Sequence, residues 1–386
     1  MTIFMHATWL ACMGILYKLS IQGNESGHRN SRVQEEDFMS SKHSRRLKKA
    51  GLHFSMCLAG VLSLFAIGLL SISSQAQLPA KRASRFGRDR QPSTASPAIA
   101  SSRTVRTPSG LTFAFGLIEF PRSPDSTAQG LNSRGDIVGL YGPNLPAYEG
   151  TEQSYVLEGN TFQELVYPGA SYTLGLGINK SRKIVGCYAE SDGNAHSFLR
   201  KGKDYTNIDH PGSDNTIASN INDAGEIIGT YYQNTTGTIH GFVLKKGVYT
   251  TIDPEGSVFT EPMGINSNGV IVGFWVDSNQ FSHGFVFQNS QFTTVDYPGA
   301  SNTELSGIND DGQMVGDYGD DILVGQQAWP TPNAFFLDQD TFTPIQLPVA
   351  DAQVTWTNTL VGNEFVGMYV DSLGNIEGFE ATASQQ

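Results

Sequence analysis

The chain has 386 residues, with 37 acidic and 25 basic side chains, so its formal net charge at pH 7 is −12. The charge is uneven: residues 1–110 hold 15 Lys and Arg against 5 Asp and Glu, and residues 111–386 hold 10 against 32. The longer part therefore has a net charge of −22. This balance argues against nucleic-acid binding, because phosphate contacts need clustered Lys and Arg.

A targeting segment is the first predicted element. Basic residues at 45–49 precede an apolar run at 52–72, and Ser74-Gln75-Ala76 follows it as a small-residue cleavage pattern. This order is typical of a secretory signal peptide. The apolar run is also long enough for an uncleaved membrane anchor, which would be the chain's single link to a membrane. Both interpretations predict an extracellular, periplasmic or cell-envelope location.

The residues on either side of this segment complete the predicted domain plan. Residues 1–38 are interpreted as an over-long start, because Met39 would begin an ordinary signal peptide within residues 39–76. Residues 77–110 are rich in Ser, Pro, Ala and Arg, so we expect a disordered linker that buries too little apolar surface to fold. Residues 111–386 form the predicted folded domain.

One short phrase recurs six times in that domain. In its fullest form it reads Gly-Ile-Asn-x-x-Gly-x-Ile-Val-Gly, and its last glycine is followed two residues later by an aromatic residue. A spacing in the forties is typical of a repeat architecture. The closing glycines are Gly139, Gly186, Gly229, Gly273, Gly316 and Gly367, and the aromatic residues are Tyr141, Tyr188, Tyr231, Trp275, Tyr318 and Tyr369.

Each repeat predicts four short antiparallel strands. Between Thr216 and Pro254, apolar residues alternate with a period of two, and Gly, Asn and Asp turns divide the segment into four runs. The turn Asn222-Asp223-Ala224-Gly225 suits a tight hairpin because Asn and Gly tolerate positive φ. Four strands in about 44 residues indicate one blade of a β-propeller.

The two ends of the array predict how a ring would close. The phrase at 115–121 resembles the fourth strand of a repeat, whereas the last repeat stops after the third strand around Phe379. Pairing these ends would remove two exposed sheet edges. The predicted fold is therefore an all-β, six-bladed propeller of four-stranded antiparallel blades, with the N-terminal strand completing the last blade.

The phrase, the His240-Gly241-Phe242 and His283-Gly284-Phe285 motifs, and the run from Phe292 to Ala300 together resemble the bacterial extracellular HAF-repeat family. The resemblance covers about residues 113–379. It implies secretion and a repeat fold, but it implies no defined activity. The first, fifth and sixth copies replace the histidine with Ser154, Asn333 and Glu377, so no function that needs six histidines follows from it.

The recurring side chains favour structural roles. We predict that the six aromatic residues pack between repeats, and that His196, His240 and His283 bond to the recurring Asp209, Asp253 and Asp296. The acidic turns at Asn222 and Asn309 could hold a calcium ion, whereas the basic turn at Lys180 does not suit a cation. We predict hairpin turns, no resident metal and no cofactor.

A binding site is expected where the repetition fails. Long loops at 142–153 and 319–333 would flank one sector of a rim, with the sixth repeat between them. Aromatic side chains beside carboxylates suit a carbohydrate or a peptide, although tolerated surface insertions would also give this pattern. The candidate ligand-binding residues are Tyr148, Glu149, Glu152, Asp320, Asp321, Trp329 and Trp356.

The expected function is a secreted or envelope-associated binding module, monomeric, with a glycan, a peptide or an envelope protein as its partner. One alternative is a secreted carbohydrate-active hydrolase or lyase that uses acidic rim residues. Another is a purely structural envelope protein. The sequence contains no Gly-x-Ser-x-Gly, His-Glu-x-x-His or phosphate-binding glycine loop, so no catalytic residue is assigned and the enzyme question stays open.

Overall fold

The computed structural model describes residues 99–121, 123, 125–142, 152–190, 194–234, 237–319, 333–349, 352 and 354–385. All of the regular secondary structure in these ranges is β-strand. No helix within them is long and apolar enough to cross a membrane. The predicted segments 1–38 and 39–76, and residues 77–98 of the predicted linker, lie outside the described residues.

Three sheets have the predicted four-stranded antiparallel order, in which each strand pairs with its neighbour in sequence. They are built from the first, second and fifth repeats. Their strands are β3 (Asp125–Leu131), β4 (Ile137–Gly142), β5 (Gln153–Glu158) and β6 (Thr161–Leu165); β7 (Tyr172–Ile178), β8 (Lys183–Ala189), β9 (Ala195–Lys201) and β10 (Asp204–Asn207); and β19 (Asn302–Ile308), β20 (Met314–Gly319), β21 (Asn333–Asp338) and β22 (Thr341–Pro344).

The third and fourth repeats form two further four-stranded units within one eight-stranded sheet. A single parallel bridge, between Ile239 and Phe259, joins the units. The third repeat has the predicted four strands, which begin at Asn215, one residue before the predicted segment, and end at Thr251. The strands are β11 (Asn215–Ile221), β12 (Ile227–Tyr232), β13 (Ile239–Lys245) and β14 (Val248–Thr251), then β15 (Phe259–Ile265), β16 (Ile271–Val276), β17 (Ser282–Gln288) and β18 (Gln291–Val295).

The sixth repeat supplies β23 (Val354–Val361), β24 (Glu364–Val370) and β25 (Ile376–Gln385), and an N-terminal strand, β2 (Leu111–Ile118), pairs with β25. The predicted pairing of the chain's two ends is therefore confirmed. A fifth strand, β1 (Ile99–Arg106), pairs with β2. The predicted disorder is wrong for this part of the linker, because the outer edge of β2 offers its backbone groups to a further strand.

The strands thus make a β-propeller arrangement, but the predicted closed ring of six four-stranded blades is wrong. The described residues form five sheets, since one bridge merges two units and β1 enlarges another. Backbone pairing does not run around a ring. Side chains instead connect the sixth repeat to the first: Asn358 Nδ2 donates to Ala128 O at 2.7 Å, and Thr359 Oγ1 donates to Gln129 O at 2.9 Å.

A β-bulge in the first strand of every repeat explains the recurring glycine of the phrase. The pairing of first and second strands skips one residue in each repeat, opposite the glycine. A Cβ on that glycine would lie closer than 3.0 Å to a carbonyl oxygen of the first strand. The skipped residues are Gln129, Leu176, Ser219, Met263, Ser306 and Asn358.

Candidate functional site

The turns that follow the first strands are linked by a series of asparagine side chains. The Nδ2 of each asparagine donates to a backbone carbonyl in the corresponding turn of the next repeat, and its Oδ1 accepts backbone N–H groups within its own turn. Four of these inter-repeat bonds are 3.0 Å long, and the fifth ends on Gly362 O at 2.6 Å. We call this series the asparagine belt; it comprises Asn132, Asn179, Asn222, Asn266 and Asn309.

Replacing Asn222 with Ala should lower the free energy of unfolding by about 2 kcal/mol, since each lost hydrogen bond is worth about 1 kcal/mol and buried partners are left unpaired. The side chain is buried, donates to Asn266 O, and accepts from Glu226 N at 2.9 Å. Urea denaturation would measure the loss. The exposed Asn234→Ala change in the same repeat is the control; equal losses in both variants would contradict a structural role for the belt.

A cavity of about 260 Å³ opens beside the asparagine belt. All six repeats contribute to its lining, which combines turn residues with the last residues of the first strands. We call it the axial cavity. Its polar lining includes Asn132, Ser133, Asn179, Asn222, Asp223, Asn266, Ser267, Asn309 and Asp310, and its aliphatic lining is Leu131, Ile178, Ile221, Ile265, Val361, Ile308 and Leu360.

Some polar groups at the axial cavity are hydrogen-bonded within the fold, and others are exposed. The belt amides are used within the fold, as described above. Ser133, Ser267 and Asp310 are exposed, and Asp310 uses Oδ1 to accept from Ser267 N at 2.8 Å. Asp223 accepts from Lys180 N at 2.8 Å and pairs with its ammonium group at 3.2 Å. The exposed hydroxyls and carboxylates are therefore the groups placed to meet a ligand.

The candidate rim residues of the sequence analysis are mostly outside the described residues: Tyr148, Glu149, Asp320, Asp321 and Trp329 all fall there. Glu152 and Trp356 are described, and both are buried, with 5% and 1% exposure. Neither offers an open surface for stacking or hydrogen bonding to a ligand, so their predicted rim roles are wrong. Trp356 occupies a first-strand position inside the fold, and Glu152 lies close enough to Tyr172 to help burial raise the pKa of that phenol.

The three predicted His–Asp pairs are confirmed. Nδ1 of His196 and of His240 lies 2.7 Å from the carboxylate of Asp209 and of Asp253, and His283 lies 3.1 Å from that of Asp296. The second oxygen of Asp209 accepts from Ser197 N at 2.7 Å. Each pair thus connects the third strand of one repeat to the connection that follows its fourth strand, which is a structural role.

Four of the six phrase aromatics stack on rings in the connections that precede their repeats, a pairing that the sequence analysis missed. Four such stacks have ring centroids 3.5 to 3.7 Å apart and planes within 12°. The sequence signal for these stacks is an aromatic or His residue directly before a recurring Pro. The pairs are Phe120 with Tyr141, Tyr167 with Tyr188, His210 with Tyr231, and Tyr297 with Tyr318.

Three buried carboxyl groups were also missed. Glu261, Glu304 and Asp317 are 8%, 5% and 0% exposed, and one oxygen of each has no hydrogen-bond partner. Burial raises the pKa of Glu304 to about 8. Burial and the neighbouring Glu304 hold the pKa values of Glu261 and Asp317 well above their usual range.

Comparison with known proteins identifies no family for this chain. No protein-family model and no curated protein matches the sequence, so the HAF-repeat resemblance stays a prediction. The Aleuria aurantia lectin, a fucose-recognising six-bladed β-propeller, aligns at a TM-score of 0.41 and 12% identity over 66% of this chain and 91% of that chain. A mutant of AofleA from Arthrobotrys oligospora aligns at a TM-score of 0.42 and 10% identity, over 71% of this chain and 93% of that chain. TolB from Acinetobacter baumannii aligns at a TM-score of 0.41 and 12% identity, over 61% of each chain. At these scores, nothing about ligands is transferred.

Proposed function

We propose that the repeat domain is a binding module acting outside the cytoplasm, and that its axial cavity receives one sugar unit of a glycan. The observation that carries this proposal is the axial cavity itself, an opening of about 260 Å³ to which every repeat contributes. This volume is near the lower end for ligand pockets, so it suits a single small unit rather than an extended ligand.

The lining supports a polyhydroxylated ligand. Sugar hydroxyls donate hydrogen bonds, and the exposed carboxylate of Asp310 is an acceptor at the cavity. Ser133 and Ser267 can both donate and accept, whereas the adjoining aliphatic residues suit the apolar face of a sugar ring. The proposal assigns no reaction to this site.

The proposal includes export of the domain to the envelope or the medium. Its support is the order of a basic segment, an apolar run and small residues at 45–76, which is typical of a secretory signal peptide.

A glycan array probed with the purified protein would test the function. Ser133→Trp should block the cavity opening and weaken binding at least about tenfold, since it fills the space a sugar would occupy. Thr250→Trp is the matched control, because Thr250 is exposed on the outermost strand of the third repeat. A peptide array with the same variants would test a peptide as the ligand.

The outcomes separate the alternatives. Glycan binding that Ser133→Trp abolishes and Thr250→Trp preserves would support the axial cavity. Binding abolished by Trp329→Ala and unaffected by Ser133→Trp would move the site to the predicted rim. Binding of peptides and of no glycan would overturn the ligand class proposed here.

A further inference from the structure

A second, smaller cavity of about 40 Å³ lies among the first strands. Gln129, Ser219, Asn220, Glu261 and Asn358 line it, together with Thr359 and three apolar residues. Glu261 is 92% buried, given its 8% exposure, and its Oε2 has no hydrogen-bond partner. Within the part of the chain that the structure describes, a buried carboxyl oxygen therefore borders this cavity without a hydrogen-bond donor.

The polar neighbours of Glu261 direct their hydrogen-bond donors elsewhere. Ser219 Oγ donates to Pro262 O, Asn220 Nδ2 to Met263 O, and Asn358 Nδ2 to Ala128 O, at 2.6 to 3.0 Å.

The remaining two polar neighbours follow the same pattern. Gln129 Nε2 donates to Thr127 Oγ1 at 3.0 Å, and Thr359 Oγ1 donates to Gln129 O at 2.9 Å. Among the described residues, none of these bonds reaches Glu261 Oε2, which has no hydrogen-bond partner, whereas the amide and hydroxyl oxygens of the lining are possible ligands for a cation.

The neighbouring carboxyl groups of Glu304 and Asp317 add negative charge when they are ionised. The Glu261 carboxyl interacts electrostatically with Glu304, which also interacts with Asp317. No Lys, Arg or His is among the described residues that line the cavity. An isolated buried carboxylate is costly, so this group must either keep its proton or gain a positive partner.

We infer that the cavity bordered by Glu261 binds a small hard metal cation, with Glu261 as its charged ligand and side-chain amide or hydroxyl oxygens as the neutral ones. Hard cations such as Ca²⁺ take carboxylate, amide and water oxygens. No three His, Cys, Asp or Glu side chains within the described ranges form a metal-binding group, so neutral oxygens or water must complete the coordination. This inference does not depend on the proposed glycan site and differs from calcium at the turns.

The test is the thermal unfolding of the chelator-treated protein at about pH 8, with CaCl₂, MgCl₂ or NaCl added against choline chloride at equal ionic strength. A binding cation should raise Tm by roughly 4 °C when present well above its Kd, because it stabilises only the folded state. Metal binding displaces a proton from the carboxyl group, so the rise should shrink at about pH 6.

Glu261→Gln is the decisive variant, since it keeps the side-chain size and removes the charge. It should fold, and its Tm should no longer respond to the cation. Glu255→Gln, at an exposed position of the preceding connection, should respond like the unmodified chain. The inference is overturned if no cation exceeds choline, or if Glu261→Gln retains the full rise.

Discussion

Lowering the pH from about 8 to about 5 is expected to raise the free energy of unfolding, measured without added metal. Glu304 provides the main argument, because burial raises its pKa from 4.5 to about 8, although a hydrogen bond with Ser282 partly offsets this. Between these two values the unfolded chain has lost a proton that the folded chain retains. Stability from this group is therefore complete below about 4.5 and is lost as the pH rises towards 8.

The expected size is large for one side chain. One pKa unit corresponds to about 1.4 kcal/mol, so Glu304 alone gives roughly 4 to 5 kcal/mol across its range. Glu261 and Asp317 act in the same direction, since their pKa values are also raised. His210 acts oppositely: burial lowers its pKa below 6.5, so its contribution is lost as the pH falls.

Urea denaturation at several pH values, in the presence of a chelator, would measure this dependence. Glu304→Gln should be more stable than the unmodified chain at about pH 8 and should show a much shallower dependence on pH. Glu255→Gln serves as the exposed control. If the free energy of unfolding depended on pH equally in the unmodified chain and in the Glu304→Gln variant, Glu304 would not be the source of that dependence.

The strands were predictable because the information that specifies them is local. In the third repeat, period-two alternation and the Asn222 turn sufficed to place β11 and β12. The β1 strand was not predictable in this way, because it has the composition of a linker and exists through its pairing with β2. The single bridge at Ile239 is likewise a consequence of how two repeats meet.

The site was less predictable, since residue type does not show which way a side chain faces. The residue type of Trp356 suggests a role in stacking on a ligand. Trp356 nevertheless occupies the first-strand position that Leu174 and Ile217 occupy in other repeats, and all three side chains are buried. Comparing the repeats at this position would have revealed Glu261 and Glu304 as acids where apolar residues also occur. This comparison indicates that the first strands, and not only the variable loops, contain residues whose chemical type differs between repeats.

Replacing Gly186 with Ala should destabilise the chain by about 3 kcal/mol, as overpacking against an inflexible neighbour does. The new Cβ would lie closer than 3.0 Å to the carbonyl group of Leu174, which belongs to the bulged first strand. Backbone atoms cannot move aside as a side chain can, so the bulge or the pairing of β7 with β8 must change. The same reasoning applies to the phrase glycine of every repeat.

Gly319→Ala is the matched control, because a Cβ there would meet nothing within 4 Å and the glycine has no positive φ. Its effect should stay within about 0.5 kcal/mol. Equilibrium denaturation of both variants, with far-ultraviolet circular dichroism to confirm retained β-structure, would measure the difference. A loss at Gly186 no greater than at Gly319 would mean that the bulge tolerates a side chain, and the recurring glycine would then need another explanation.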